Sequence, residues 1–100
     1  MTLAAFKAAC NSLTPPSDIS DELLALWYDA RGNWNRAHEL VQETGGFTGD
    51  WIHAYLHRKE GDDSNAAYWY RRVKKTMPQK SLSEEWDELA AYILKSESIM

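Results

Sequence analysis

Two short stretches decide how this chain folds: Gly32-Asn33-Trp34-Asn35-Arg36-Ala37 and, 29 residues later, Gly61-Asp62-Asp63-Ser64-Asn65-Ala66. In each, a glycine able to take the left-handed conformation that ends a helix is followed at once by a residue able to cap the next helix. The superposition extends backwards, because Ala25 precedes Gly32 by the same interval as Ala54 precedes Gly61. Small residues on both helices of a pair let the backbones approach, and glycine reverses the chain without steric cost. Each stretch therefore reads as the turn of a helix-turn-helix unit.

Working outward, apolar residues at helical spacing define the units. A helix is predicted from about Ser20 to Arg31, inward through Leu23, Leu24, Trp27 and Ala30, and another from Trp34 to Glu43 through Trp34, Ala37, Leu40 and Val41. In the second unit a helix from Asp50 or Trp51 to Glu60 presents Trp51, Ala54, Tyr55 and Leu56. The next presents Ala66, Trp69, Tyr70 and Val73 and ends in Arg71, Arg72, Lys74 and Lys75, cations that favour the negative end of the helix dipole. Between the units, Gly45-Gly46-Phe47-Thr48-Gly49-Asp50 is too rich in glycine for regular structure and is predicted as the main loop, a hinge between them. A first helix over Thr2 to Ser12, carrying Leu3, Phe6 and Cys10, precedes the connector with Pro15 and Pro16. After Pro78, Ser81 and Glu84 have capping-box spacing, and Leu82, Trp86, Leu89 and Ile93 mark a sixth helix. No alternating strand pattern competes. The expectation is an all-α fold, a compact bundle of about six helices in one domain over 1–100, with units at about 20–44 and 50–78 and a closing helix at about 82–97.

Composition agrees with one globular core, since 44% of the residues are hydrophobic and 26% charged, with five Trp and five Tyr to fill it. Cys10 is the single cysteine, so it forms no intramolecular disulfide and no thiolate metal pair, and it reads as a small apolar filler. No apolar run approaches a membrane span, and Lys7 sits inside the first apolar stretch rather than ahead of it, which predicts a cytoplasmic protein without membrane association. A net charge of -4 argues against nucleic acid as a partner. Seven of the eleven basic residues nevertheless lie between Arg58 and Lys80, flanked by acidic segments, a distribution that reads as solvated faces and internal charge balance, with a small basic patch for an acidic partner as the alternative.

The units resemble the tetratricopeptide family and its Sel1-like relatives. Leu24-Ala25 with Tyr28 matches the first half of that pattern, Ala66 with Tyr70 and Pro78 the second, and Ala66 to Arg72 looks especially Sel1-like. The chain is also similar to short bacterial proteins carrying the motif at Trp51 to Asp62 followed by that at Asn65 to Arg72, a likeness that implies no activity. Two departures separate it from the family. The 29-residue period is shorter than the family's roughly 34, and two units fall short of the three that a free-standing array needs, which predicts a closed bundle rather than an open superhelix.

The resemblance implies a non-enzymatic module for a protein or peptide partner. Carried over, the binding groove comprises Glu22, Leu26 and Asp29 from the second helix and Trp51, Tyr55, Arg58 and Lys59 from the fourth. Aromatics mixed with arginine anchor interfaces, and a homodimer would use the same patch. The competing reading is that Trp51 and Tyr55 pack against the sixth helix as core.

Signs of catalysis are few. Gly45, Gly46 and Gly49 have neither phosphate-loop nor dinucleotide spacing, and no nucleophile motif includes Cys10, so no catalytic residue and no cofactor is expected. The sharpest chemical constellation is His53 and His57, four apart on one helix face, with His38 on the preceding helix. Two imidazoles at that spacing can share a metal ion, though Ala54 replaces the glutamate that a zinc protease needs. A small metal- or ligand-binding protein using His38, His53 and His57 is thus the alternative function, set against buried histidines bonded to backbone or carboxylate.

Overall fold

A computed structural model describes residues 1–98; Ile99 and Met100 lie outside the described residues. The six helices are α1 (Leu3–Ala9), α2 (Asp21–Ala30), α3 (Trp34–Thr44), α4 (Gly46–Glu60), α5 (Asp63–Arg72) and α6 (Leu82–Ser98), with no strand among the described residues. The chain is an all-α bundle, as the periodicity requires.

Local chemistry sets the boundaries. Thr2, Ser20, Asn33 and Asp62 each accept a hydrogen bond from the backbone N–H three residues on, satisfying one of the donors left over at a helix start. Ser81 and Glu84 bond reciprocally through side chain and backbone, the capping box expected there. Gly32 at φ +82° and Gly61 at φ +88° end the first helix of each hairpin in the left-handed region. The second hairpin's turn thus repeats the first.

The predicted loop at 45–50 is instead mostly helix. Gly45 alone separates α3 from α4, with φ +61° and ψ −153°, and Gly46 at the start of α4 also has a positive φ, +72°, so two glycines complete the reversal. Gly49 faces the end of α3 from the first turn of α4 at a distance that would leave a Cβ in ordinary contact with the Val41 carbonyl oxygen, 3.7 Å away. Glycine richness here encodes a tight corner.

Helices α2 with α3, and α4 with α5, form the two most extensive pairings, and α3 against α4 joins the hairpins. Across α2 and α4 lies α6, with α1 stacked on it through Phe6 and Trp86, ring centroids 5.7 Å apart. Tryptophan indoles tie the layers as donors: Trp27 to the Ala9 carbonyl, Trp34 to Leu56 and Trp86 to Leu26. Each buries a large apolar ring without stranding its N–H.

The deepest polar group is Glu85 on α6, 1% exposed. Its carboxylate accepts from the Trp51 indole at 3.2 Å, the Tyr70 hydroxyl at 2.6 and 2.8 Å, and Arg58 Nη1 at 2.8 Å. Arg58 also donates to the Lys80 carbonyl. Removing one partner from such a set strands the others in a low-dielectric interior, at a cost of about 3 to 5 kcal/mol. Glu85→Ala is expected to lower urea-unfolding stability by at least about 3 kcal/mol, and Glu85→Gln by less, because an amide still accepts one donor. A loss under about 1 kcal/mol for the alanine variant would show the network to be dispensable.

Candidate metal centre

The tight corner at Gly45 and Gly46 makes α3 and α4 an antiparallel pair, so residues at similar distances on either side of it come face to face. His38 lies seven residues before Gly45 and His53 eight after, and their Nε2 atoms are 3.1 Å apart. One turn further along α4, His57 joins them, with ring centroids 5.1 Å from His38 and 4.9 Å from His53. One ring nitrogen from each histidine lies within 4.8 Å of the others. His53 and His57 are buried and His38 half-buried.

The rings are held in place. Trp34 stacks on His38 at 4.8 Å with planes 10° apart, and Trp69 from α5 stacks on His53 at 3.9 Å and 13°. Trp34 is itself pinned by its bond to the Leu56 carbonyl at 2.8 Å. His57 Nδ1 sits 2.7 Å from Glu60 Oε2. A carboxylate only accepts, so Nδ1 carries the hydrogen, and a neutral ring in that tautomer has its lone pair on Nε2. Metal-bound histidines are oriented in just this way, by a carboxylate on the nitrogen that is not the ligand.

The electrostatics disfavour protons here. Burial first, then the neighbouring His38 and His57, hold the His53 imidazole down at about 4. His38 is lowered by burial and by His57, against smaller opposing effects from Glu60 and Glu39. Neutral imidazoles are the form that ligates metal. The spacing suits an ion as well: with metal–nitrogen bonds of 2.0–2.1 Å, tetrahedral ligands stand about 3.3 Å apart, close to the His38–His53 separation.

The residues expected to form a partner groove are placed differently. Leu26, Asp29, Trp51 and Tyr55 are buried within the chain, and Glu22 is half-buried. Asp29 accepts from the Tyr55 hydroxyl at 2.9 Å and pairs with Lys59 at 2.9 Å, while Arg58 belongs to the Glu85 network. The face on which they lie is covered by α6, because its apolar and acidic residues complement what α2 and α4 present. Burial also pushes up both tyrosine hydroxyls of these networks, Tyr55 and Tyr70, with Asp29 and Glu85 adding to it. A cleft of about 410 Å³ remains between α1, α2, α4 and α6, lined by Lys7, Cys10, Asp29, Lys59 and Trp86 among others. Burial raises the Cys10 thiol, Arg31 opposing, so the cysteine there is not activated as a nucleophile.

Sequence reading named the three histidines but not Glu60, although a carboxylate three residues after a histidine on one helix was a usable signal. Trp34 and Trp69 were assigned to the core; they are half-buried and serve as the walls of the cluster. No family model, no curated protein and no solved structure matches the chain.

Without metal, the cluster makes the fold acid-sensitive. The unfolded chain takes up a proton at His53 near 6.5, whereas the folded protein refuses it until about 4. Stability from this group is therefore complete above pH 6.5 and is lost as pH falls towards 4. At about 1.4 kcal/mol per pH unit, chelator-treated protein should lose roughly 2 kcal/mol between pH 7.5 and pH 5 in urea unfolding, and His53→Leu should flatten that slope. An equal slope in the two proteins would contradict a neutral His53.

Proposed function

We propose that the chain is a non-enzymatic binding protein for a divalent transition-metal ion, held by His38, His53 and His57 across the seam between α3 and α4. The observation that carries this reading is the convergence of three imidazoles, two with Nε2 atoms 3.1 Å apart and the third buttressed by Glu60. Imidazole donors favour zinc, copper, nickel and cobalt over magnesium or calcium, which prefer oxygen. An ion there ties one hairpin to the other, since His38 belongs to the first and His53 and His57 to the second. We read the hairpins as a shortened pair of the tetratricopeptide kind, supported by the 29-residue offset and the pairing of α2 with α3 and α4 with α5. Capture of a protein or peptide on the α2–α4 face is the weaker reading, because α6 occupies that face.

Zinc added to chelator-treated protein is expected to raise the melting temperature. A hundredfold excess over Kd contributes about 2.7 kcal/mol, or about 10 °C or more in a domain this size. Elemental analysis should find one ion per chain, and the half-buried His38, changed to Gln, should abolish both results while circular dichroism stays native. A native protein whose melting is indifferent to zinc, copper, nickel and cobalt would end the proposal. Glu60→Gln should retain the ion with affinity lowered by about 10- to 100-fold, the usual effect of losing the carboxylate behind a ligand histidine.

A further inference from the structure

We infer that the ion held by the three histidines keeps one coordination position beyond the protein's own donors, on the His38 side, and takes there a water molecule or a small monoanion. This rests on the metal reading above and adds to it the class of ligand that the ion binds.

The inference follows from counting donors. Zinc and cobalt in such sites take four ligands; closed structural sites draw all four from the protein, and sites with three protein ligands leave the fourth to solvent or substrate. Here three imidazoles converge, and among the described residues no carboxylate or thiolate joins all three of them. The nearest acids, Glu60 and Asp62, group with His57 alone. Glu60 is engaged at 2.7 Å on Nδ1 of His57, which leaves the other ring nitrogen, Nε2, to serve as the ligand. Asp62 is committed to the start of α5, where its Oδ1 accepts from the Asn65 amide at 3.3 Å and the Ser64 hydroxyl at 3.4 Å. Neither can reach the ion without surrendering those contacts.

Burial gives the direction. His53 and His57 are 4% and 6% exposed, so two of the three ligands close the inner side, while His38 alone is half-buried and stands where the cluster meets solvent. Charge and size give the ligand class. Three neutral imidazoles leave the ion's double positive charge uncancelled by the ligands, which favours an anion. Trp34 and Trp69, lying flat on His38 and His53, wall the cluster and limit the ligand to a few atoms.

The test uses the full chain, stripped with chelator and loaded with Co(II), whose visible bands report coordination geometry. Azide is then titrated in. The expected result is a saturable change in the Co(II) bands, in the native protein and in Glu60→Gln alike, with circular dichroism confirming that both are folded. Co(II) bands that ignore azide would overturn the exchangeable position while leaving the three-histidine ion in place. A response seen only in Glu60→Gln would make Glu60 the fourth ligand and overturn it too. Absence of Co(II) bands in the native protein would instead reject the metal reading, and this inference with it.

Discussion

A carboxylate taken out of water must find donors, and Glu85, on the inner face of α6, finds them in Trp51 and Arg58 of α4 and Tyr70 of α5. This one group decides how the sixth helix meets the second hairpin. Apolar contacts through Leu89, Ile93 and Leu94 would tolerate several rotations of α6, because hydrophobic burial is not directional. A buried carboxylate is directional, since only one placement of the helix satisfies it. The Asp29 pairings with Tyr55 and Lys59 do the same between α2 and α4. Replacing such groups with well-packed apolar residues is often neutral for stability, so their contribution here is to fix one arrangement rather than to add net free energy.

Fixing α6 has a consequence for function. In the sequence, Leu26, Asp29, Trp51, Tyr55, Arg58 and Lys59 have the composition of a binding face, aromatic and charged at helical spacing. The same composition describes a face that receives a helix of its own chain, and nothing local separates the two cases. What separates them is Glu85, 34 residues after Trp51, whose capacity for three donors matches what α4 and α5 offer. A lone glutamate in a helix read from sequence looks like a solvated residue near the positive end of the dipole. Its burial emerges only when tertiary packing brings the donors to it.

The rest of the comparison follows the same division between local and distant causes. Helix existence and caps were legible, because Asn33, Asp62 and the Ser81–Glu84 box act within three residues of themselves. The glycine segment at 45–50 misled, since glycine serves both loops and tight corners, and the choice depended on α3 and α4 packing against each other, which nothing within the segment reports. His53 and His57 were legible as a pair on one face. That His38 meets them depended on the reversal being confined to Gly45 and Gly46, so the misread corner and the candidate site are one problem.

The corner also sets how the histidines of the cluster are partnered. Buried histidines are ordinarily satisfied by a carbonyl or a carboxylate, and His57 with Glu60 follows that rule. His38 and His53 do not, for each has the other's Nε2 as its partner, and one hydrogen must serve two nitrogens. The arrangement holds two ring nitrogens at nearly the separation of ligands on one ion, in rings fixed by Trp34 and Trp69, and burial disfavours a further proton on His53. On the proposed reading, a cation at that point would give both nitrogens a partner at once, the shared hydrogen having moved to the other ring nitrogen. On the proposed reading, the seam between the hairpins is therefore also the place where an ion would have the greatest effect on how firmly they are joined.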